Sequence, residues 1–143
     1  MKAGDQQRGG ERGNGRSSTV GTQGYQDLVA WQKAMELVTT IYRATRSWPH
    51  EEQYGLTSQV RRAAVAIPSN LAEGHGRSGR REFAHHVSIA YGSLCELETQ
   101  LLIAERLDCS DAEATEYLMN RIADVRRLTN GLLRSLQSAT PNH

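Results

Sequence analysis

The sequence predicts an all-α fold: an antiparallel, up-down, left-handed four-helix bundle behind a disordered N-terminal tail. Three observations predict it. Four segments repeat apolar residues at three- and four-residue steps, the pattern of helices with one buried face. Breakers separate them at Trp48-Pro49, Gly74 to Gly79 and Leu107 to Ser110. Those connections are short, which makes successive helices antiparallel neighbours. The 143 residues suit one domain, divided into a tail at 1–24, a bundle at 25–138 and a fraying end at 139–143.

Residues 1–24 are rich in Gly, Gln, Ser and Arg and nearly devoid of apolar side chains. Such a segment buries too little surface to offset the entropy of ordering. Lys2, Arg8, Arg12 and Arg16 against Asp5 and Glu11 give it a charge of +2. It reads first as a dispensable tail and second as a weak basic arm. The first helix is expected from Gln26 to Arg46. Leu28, Trp31, Met35, Val38 and Tyr42 form its expected inner stripe, with Trp31 in the core. The residue before a proline is pushed out of the α region, so Trp48-Pro49 ends it.

The second helix is expected from Glu51 to Glu73, with Leu56, Val60, Ala63, Ile67 and Leu71 inward. Ala63, Ala64 and Ala66 let another backbone approach. Pro68 falls inside it, where it removes a hydrogen bond to the Ala64 carbonyl and crowds that group, so a kink or break is expected. Ser69 and Asn70 are placed to satisfy groups freed there. Gly74 is expected to stop the helix in the left-handed conformation. Ser78 is the candidate cap of the third helix, which runs from Arg80 to Leu107, about 40 Å. Phe83, Val87, Ala90, Leu94, Leu97, Leu101 and Ala104 form its stripe. Tyr91, Leu102 and Ile103 lie outside that seam and suggest a subunit interface. Ser110 or Asp111 caps the fourth helix, whose stripe is Leu118, Ile122, Val125, Leu132 and Leu136.

Charged residues make up 23% of the chain and the net charge is +1, which gives no global nucleic-acid or membrane signature. The distribution is uneven. Arg61, Arg62, Arg77, Arg80 and Arg81 face only Glu73 in their stretch, whereas Glu96 to Glu116 holds seven acids against Arg106. Two faces of opposite sign follow, or head-to-tail pairing between subunits, or ordinary solvated helix surfaces. Cys95 and Cys109 match no zinc or redox spacing. With no apolar leader and no apolar run of membrane length, the expectation is a cytoplasmic protein without membrane contact.

Catalytic patterns are sparse. Glu82-Phe83-Ala84-His85 is one Glu-x-x-His element, but di-iron bundles need two, with a glutamate from each of two other helices. His85 and His86 point about 100° apart on a helix and cannot chelate together. No Ser-His-Asp order, His-Glu-x-x-His or Cys-x-x-Cys occurs. No enzyme activity, cofactor or metal is expected. Glu73 opposes the helix dipole at the end of the second helix and needs a donor, from Arg62, Arg77 or an arginine of another subunit. The Gly-rich loop after it lacks the strand and lysine of a nucleotide site. It leaves room only for diffuse phosphate contact.

Several segments together carry a resemblance: Leu28 to Trp31; Trp48-Pro49 with Glu51 to Leu56; Gln59 to Arg62 with Ala63 and Ala64; Ile67-Pro68-Ser69-Asn70-Leu71-Ala72-Glu73-Gly74 with Gly76-Arg77; and Tyr91 to Glu98. They resemble the rRNA intervening-sequence protein family of four-helix bundles, which includes the accessory variability determinant of diversity-generating retroelements. Pro68, Asn70, Glu73 and Gly74 are its structural signature here. The resemblance implies ring-forming bundles, typically homopentamers. It also implies nucleic-acid and reverse-transcriptase binding through basic surfaces in the retroelement members. From Tyr25 to Gln137 this chain has 13 basic and 14 acidic side chains, unlike a strongly basic binder. The expected function is a non-catalytic oligomeric adaptor associating with RNA or a nucleoprotein. Arg61, Arg62, Arg77, Arg80, Arg81, Arg126 and Arg127 are the candidate nucleic-acid contacts. The alternative is a structural oligomer that binds a protein partner, such as a reverse transcriptase, without touching RNA or DNA.

Overall fold

A computed structural model describes residues 24–77 and 79–138. The expectations for the first 23 residues, for Ser78 as a cap and for fraying at 139–143 lie outside the described residues. Among the described residues four α-helices form: α1 Val29–Ala44, α2 Leu56–His75, α3 Arg80–Arg106 and α4 Ala112–Ser138. No strand occurs among the described residues. Each helix packs against its neighbours in chain order, and α4 returns to α1, which closes an up-down four-helix bundle. One end of the bundle carries the start of α1, the α2–α3 turn and the end of α4. The other carries the α1–α2 and α3–α4 connections.

The inner faces of α2, α3 and α4 follow the expected stripes. Val60, Ala63, Ile67 and Leu71 meet Val87, Ala90, Leu94, Leu97 and Leu101, with Leu118, Ile122 and Val125 closing the core. Leu56, Phe83, Leu132 and Leu136 cover its edges, half-buried. Helix α1 differs. Its buried face is Ala30, Ala34, Leu37 and Ile41, continued by Thr45 and Trp48. Met35 and Tyr42, expected inside, are 45% and 39% exposed, and Trp31 and Val38 sit at the margin. Two stripes of the same spacing run side by side on this helix. The small Ala30 and Ala34 face inward because they let α1 approach closely, while the bulkier side chains take the flank. Tyr25 meets Trp31 edge-on at 5.3 Å, so Trp31 packs against the segment that leads into α1.

The ends are set locally. The chain turns twice in short tight helices, Thr45–Ser47 and His50–Glu52, before α2 starts at Leu56, five residues later than the pattern suggested. The Glu52 carboxylate accepts from the Leu56 N–H at 3.1 Å and satisfies one of the open donors there. At the end of α3, Asp108 adopts a left-handed conformation, φ 62°. Cys109 N–H then bonds the Ala104 carbonyl and Asp108 N–H the Glu105 carbonyl, a Schellman closure that normally favours glycine. Asp111 rather than Ser110 caps α4, accepting from Ala114 N–H at 2.8 Å. Ser110 instead accepts from the Thr115 hydroxyl in the interior.

Pro68 does not end α2, which continues to His75 with Pro68 buried. The Asn70 side-chain amide donates to the Ala66 carbonyl at 2.9 Å, one turn back along the same helix. Gly74 is not the left-handed stop expected of it. It lies inside the helix, which ends at His75, and beyond that end Gly79 is at positive φ, 101°. Gly74 is needed for packing: a Cβ there would lie 2.5 Å from the Cβ of His86 on α3. Gly74→Ala is therefore expected to destabilise by about 1–3 kcal/mol, the usual effect of overpacking. An added Cβ at Gly131 meets nothing within 4 Å. Gly131→Ala is expected to stabilise by about 0.5–1 kcal/mol through helix propensity. Urea denaturation midpoints of the two variants check both signs.

Candidate functional site

Where α2 meets α3, the signature segment assembles a small polar cluster. Because Gly74 has no side chain, His86 reaches the α2 backbone and is itself buried. Its Nδ1 lies 3.1 Å from the Glu82 carbonyl oxygen. A carbonyl only accepts, so Nδ1–H is the donor in this hydrogen bond. Its Nε2 faces Glu73 Oε2 at 3.6 Å. The same carboxylate oxygen accepts from Arg77 at 3.0 Å. The Arg77 hydrogen bond, followed by the charge of His86, holds the Glu73 carboxyl below the ordinary glutamate range. Of the donors expected for Glu73, Arg77 is the one in contact with it. His86 is a second partner that the sequence did not suggest, because a buried histidine at this point depends on the contact at Gly74. His75 packs edge-on against Phe83 at 5.4 Å beside the cluster and closes the turn. The arrangement can position the end of α2 against the start of α3.

The seven candidate arginines do not gather on one surface. Arg61 lies in the first half of α2 and Arg77 just beyond its other end, fourteen positions separating Arg61 from His75, about 21 Å along the helix. Arg61 is half-buried and engaged. Its Nε donates to Thr45 Oγ1 at 2.9 Å, its Nη2 to the Tyr42 carbonyl at 3.3 Å, and its guanidinium lies 4.5 Å above the Tyr42 ring. It thereby satisfies the C-terminal end of α1 from α2. Arg62 is exposed and donates to Ser58 Oγ at 3.2 Å. Arg126 pairs with Glu98 across the α3–α4 interface, and Arg127 pairs with Asp124 on its own helix. Asp124 also holds Arg121 at 3.2 Å.

Arg80 and Arg81 are different. Both are exposed in the first turn of α3, and among the described residues neither forms an ion pair. Cations at a helix N-terminus oppose the macrodipole, and only Glu82 in that turn has the favourable sign. Two unpaired guanidiniums beside free backbone N–H groups favour an anion from outside the protomer.

Among the described residues no group of three or more His, Cys, Asp or Glu is placed to hold a metal ion. Glu82 and His85 therefore stand without further ligands. No helix in that set is long and apolar enough to cross a membrane. Cys95 is exposed and Cys109 half-buried, both as free thiols. Burial and the nearby Glu52 carboxylate push the Cys109 thiol above its ordinary value, which disfavours the reactive thiolate.

An all-helical four-helix bundle is not the typical architecture of an enzyme. The chain belongs to the 23S rRNA-intervening sequence protein family, whose model matches residues 26–131. That span covers all of α1, α2 and α3 and most of α4. No curated protein sequence matches the chain.

The Glu73 cluster predicts an acid limb. A carboxyl whose folded pKa is lowered contributes stability above its unfolded pKa and loses it as pH falls through the folded value. Glu73→Gln is expected to be less stable than the unaltered chain at neutral pH. The two should converge at strongly acidic pH, where Glu73 is protonated. Urea midpoints measured across a pH series check this, and a constant gap at every pH would remove the carboxylate's role.

Proposed function

We propose that the protein is a non-catalytic, oligomeric four-helix-bundle adaptor that associates with RNA through arginines at the α2–α3 end of the bundle. The observation that carries this is the pair Arg80 and Arg81, exposed at the positive end of α3 and without an ion pair among the described residues, while the other candidate arginines have protein partners. Membership of a family named for 23S rRNA intervening sequences supports RNA as the anion. The near-neutral charge of the bundle argues for contact through this end and not along a whole basic face.

The oligomer in this proposal is a ring of five, and the protein works in the cytoplasm. Met35, Val65, Ile89, Leu102, Ile103 and Tyr117 are exposed on the helix faces, apolar side chains that subunit contacts in the ring would cover. Sedimentation equilibrium should return the mass of five protomers of 15.9 kDa. A monomeric mass at micromolar concentration would remove the ring from the proposal.

RNA binding is tested by fluorescence anisotropy across a salt series. Replacing Arg80 and Arg81 together by alanine is expected to reduce the slope of log affinity against log salt by about 1.4, two phosphates' worth on a single strand. The far-ultraviolet helix signal should stay unchanged. An unaltered slope sinks the assignment. A chain that binds no RNA but captures one defined protein from nuclease-treated lysate, a reverse transcriptase for example, would move the adaptor role to a protein partner.

A further inference from the structure

A second place on the molecule combines aromatic and basic groups, at the opposite end of the bundle from Arg80 and Arg81. An open groove of about 550 Å³ runs between the end of α1 and the start of α2, bounded by Tyr42, Tyr54, Thr57, Arg61, Arg62 and Val65. That volume falls in the range of about 300–1,000 Å³ typical of small-ligand sites. Tyr54, in the turn before α2, is 89% exposed. A tyrosine held that far into solvent contributes almost nothing to the core.

Arg61 supplies a second flat surface. Its guanidinium is fixed by Thr45 Oγ1, the Tyr42 carbonyl and the Tyr42 ring, so its plane is set before any ligand arrives. Arg62, one residue on, extends into solvent and is tied only to the Ser58 hydroxyl. Thr57 lines the same groove, and its buried Oγ1 has no hydrogen-bond partner. Aromatic rings and guanidinium planes are the surfaces on which unpaired bases stack, with neighbouring arginines taking the backbone phosphates. A duplex keeps its bases stacked on one another and cannot offer them here.

We propose that this groove binds an unpaired nucleotide of single-stranded RNA, with its base stacked on Tyr54 and the Arg61 plane and its phosphate at Arg62. The inference rests on the RNA-associated reading and names the form of RNA, a single-stranded segment, that this end takes. It gives Arg61 and Arg62 a task distinct from that of Arg80 and Arg81. Stacking supplies the specificity for single strands, and the charge of Arg62 supplies the salt-dependent part.

The test compares a labelled oligoadenylate strand with a blunt RNA duplex, on the full chain and on Tyr54→Ala, Tyr54→Trp and Arg62→Ala. Tyr54→Ala is expected to weaken oligoadenylate binding about tenfold, in the range for losing one base–aromatic stack. Its salt slope should not change, because no phosphate contact is lost. Tyr54→Trp should restore binding, and duplex affinity should be the same throughout. Arg62→Ala should lower the slope on the single strand by about 0.7. Oligoadenylate affinity unchanged in Tyr54→Ala overturns the groove while leaving the Arg80–Arg81 contact intact. An equal loss on the duplex overturns it as well. A shift in sedimentation mass of Tyr54→Ala without RNA would show a second copy of the chain covering the groove, and that too overturns it. If the unaltered chain binds neither RNA, both this inference and the reading beneath it fail.

Discussion

The close approach of α2 and α3 at Gly74 is the constraint on which the rest of the structure depends. The broadest helix–helix contact in the bundle lies between these two helices. At its turn end, a missing Cβ brings the His86 side chain against the α2 backbone. The approach puts Nε2 of His86 opposite Glu73, and Glu73 then holds Arg77 in the turn. Arg77, just beyond the end of α2, is thereby tied back to that helix. A larger residue at 74 would push the helices apart and release all three side chains together.

The parts of the fold that were legible in the sequence are those in which one face is clearly more apolar than any other. In α2, α3 and α4 the large residues recur on a single stripe, and the burial follows it. In α1 two stripes compete. Side-chain size favoured Leu28, Trp31, Met35, Val38 and Tyr42, whereas the bundle chose Ala30, Ala34, Leu37 and Ile41. Periodicity sees hydrophobicity, but how near a neighbouring helix comes is a property of the assembled bundle, and alanine gains from nearness. Gly74 was misread for the same reason. Glycine after a helical run suggests a stop, yet here it marks a crossing point, a distinction that no local pattern contains.

The candidate site was legible in part. That Glu73 needed a donor followed from its place at the negative end of a helix, and Arg77, four residues on, was within reach by helical geometry alone. His86 was not, since it comes from the next helix. The arginines were found by composition, but composition gave no hint of their employment. Arg61 closes the end of α1, and Arg126 bridges α3 to α4. Only the three-dimensional arrangement separates, among the seven candidates, Arg61 and Arg126, which join helices, from Arg80 and Arg81, which form no ion pair among the described residues.

The sum of charges and its placement lead to different expectations. A bundle with balanced charge should be a poor ligand for a polyanion if its surface acts as an average. The Debye length at physiological salt is only about 8 Å, so distant acids on the same protomer do little to cancel a local pair of arginines. Two contacts per protomer would still bind weakly. In a cyclic assembly of the kind proposed here, the same end is repeated around the axis, and a strand that engages one protomer meets the next at high effective concentration. Repetition of that kind raises avidity about 10²–10⁴-fold without a new contact. A near-neutral chain with a few unpaired cations at one end is thus compatible with RNA association, provided that oligomerisation comes first.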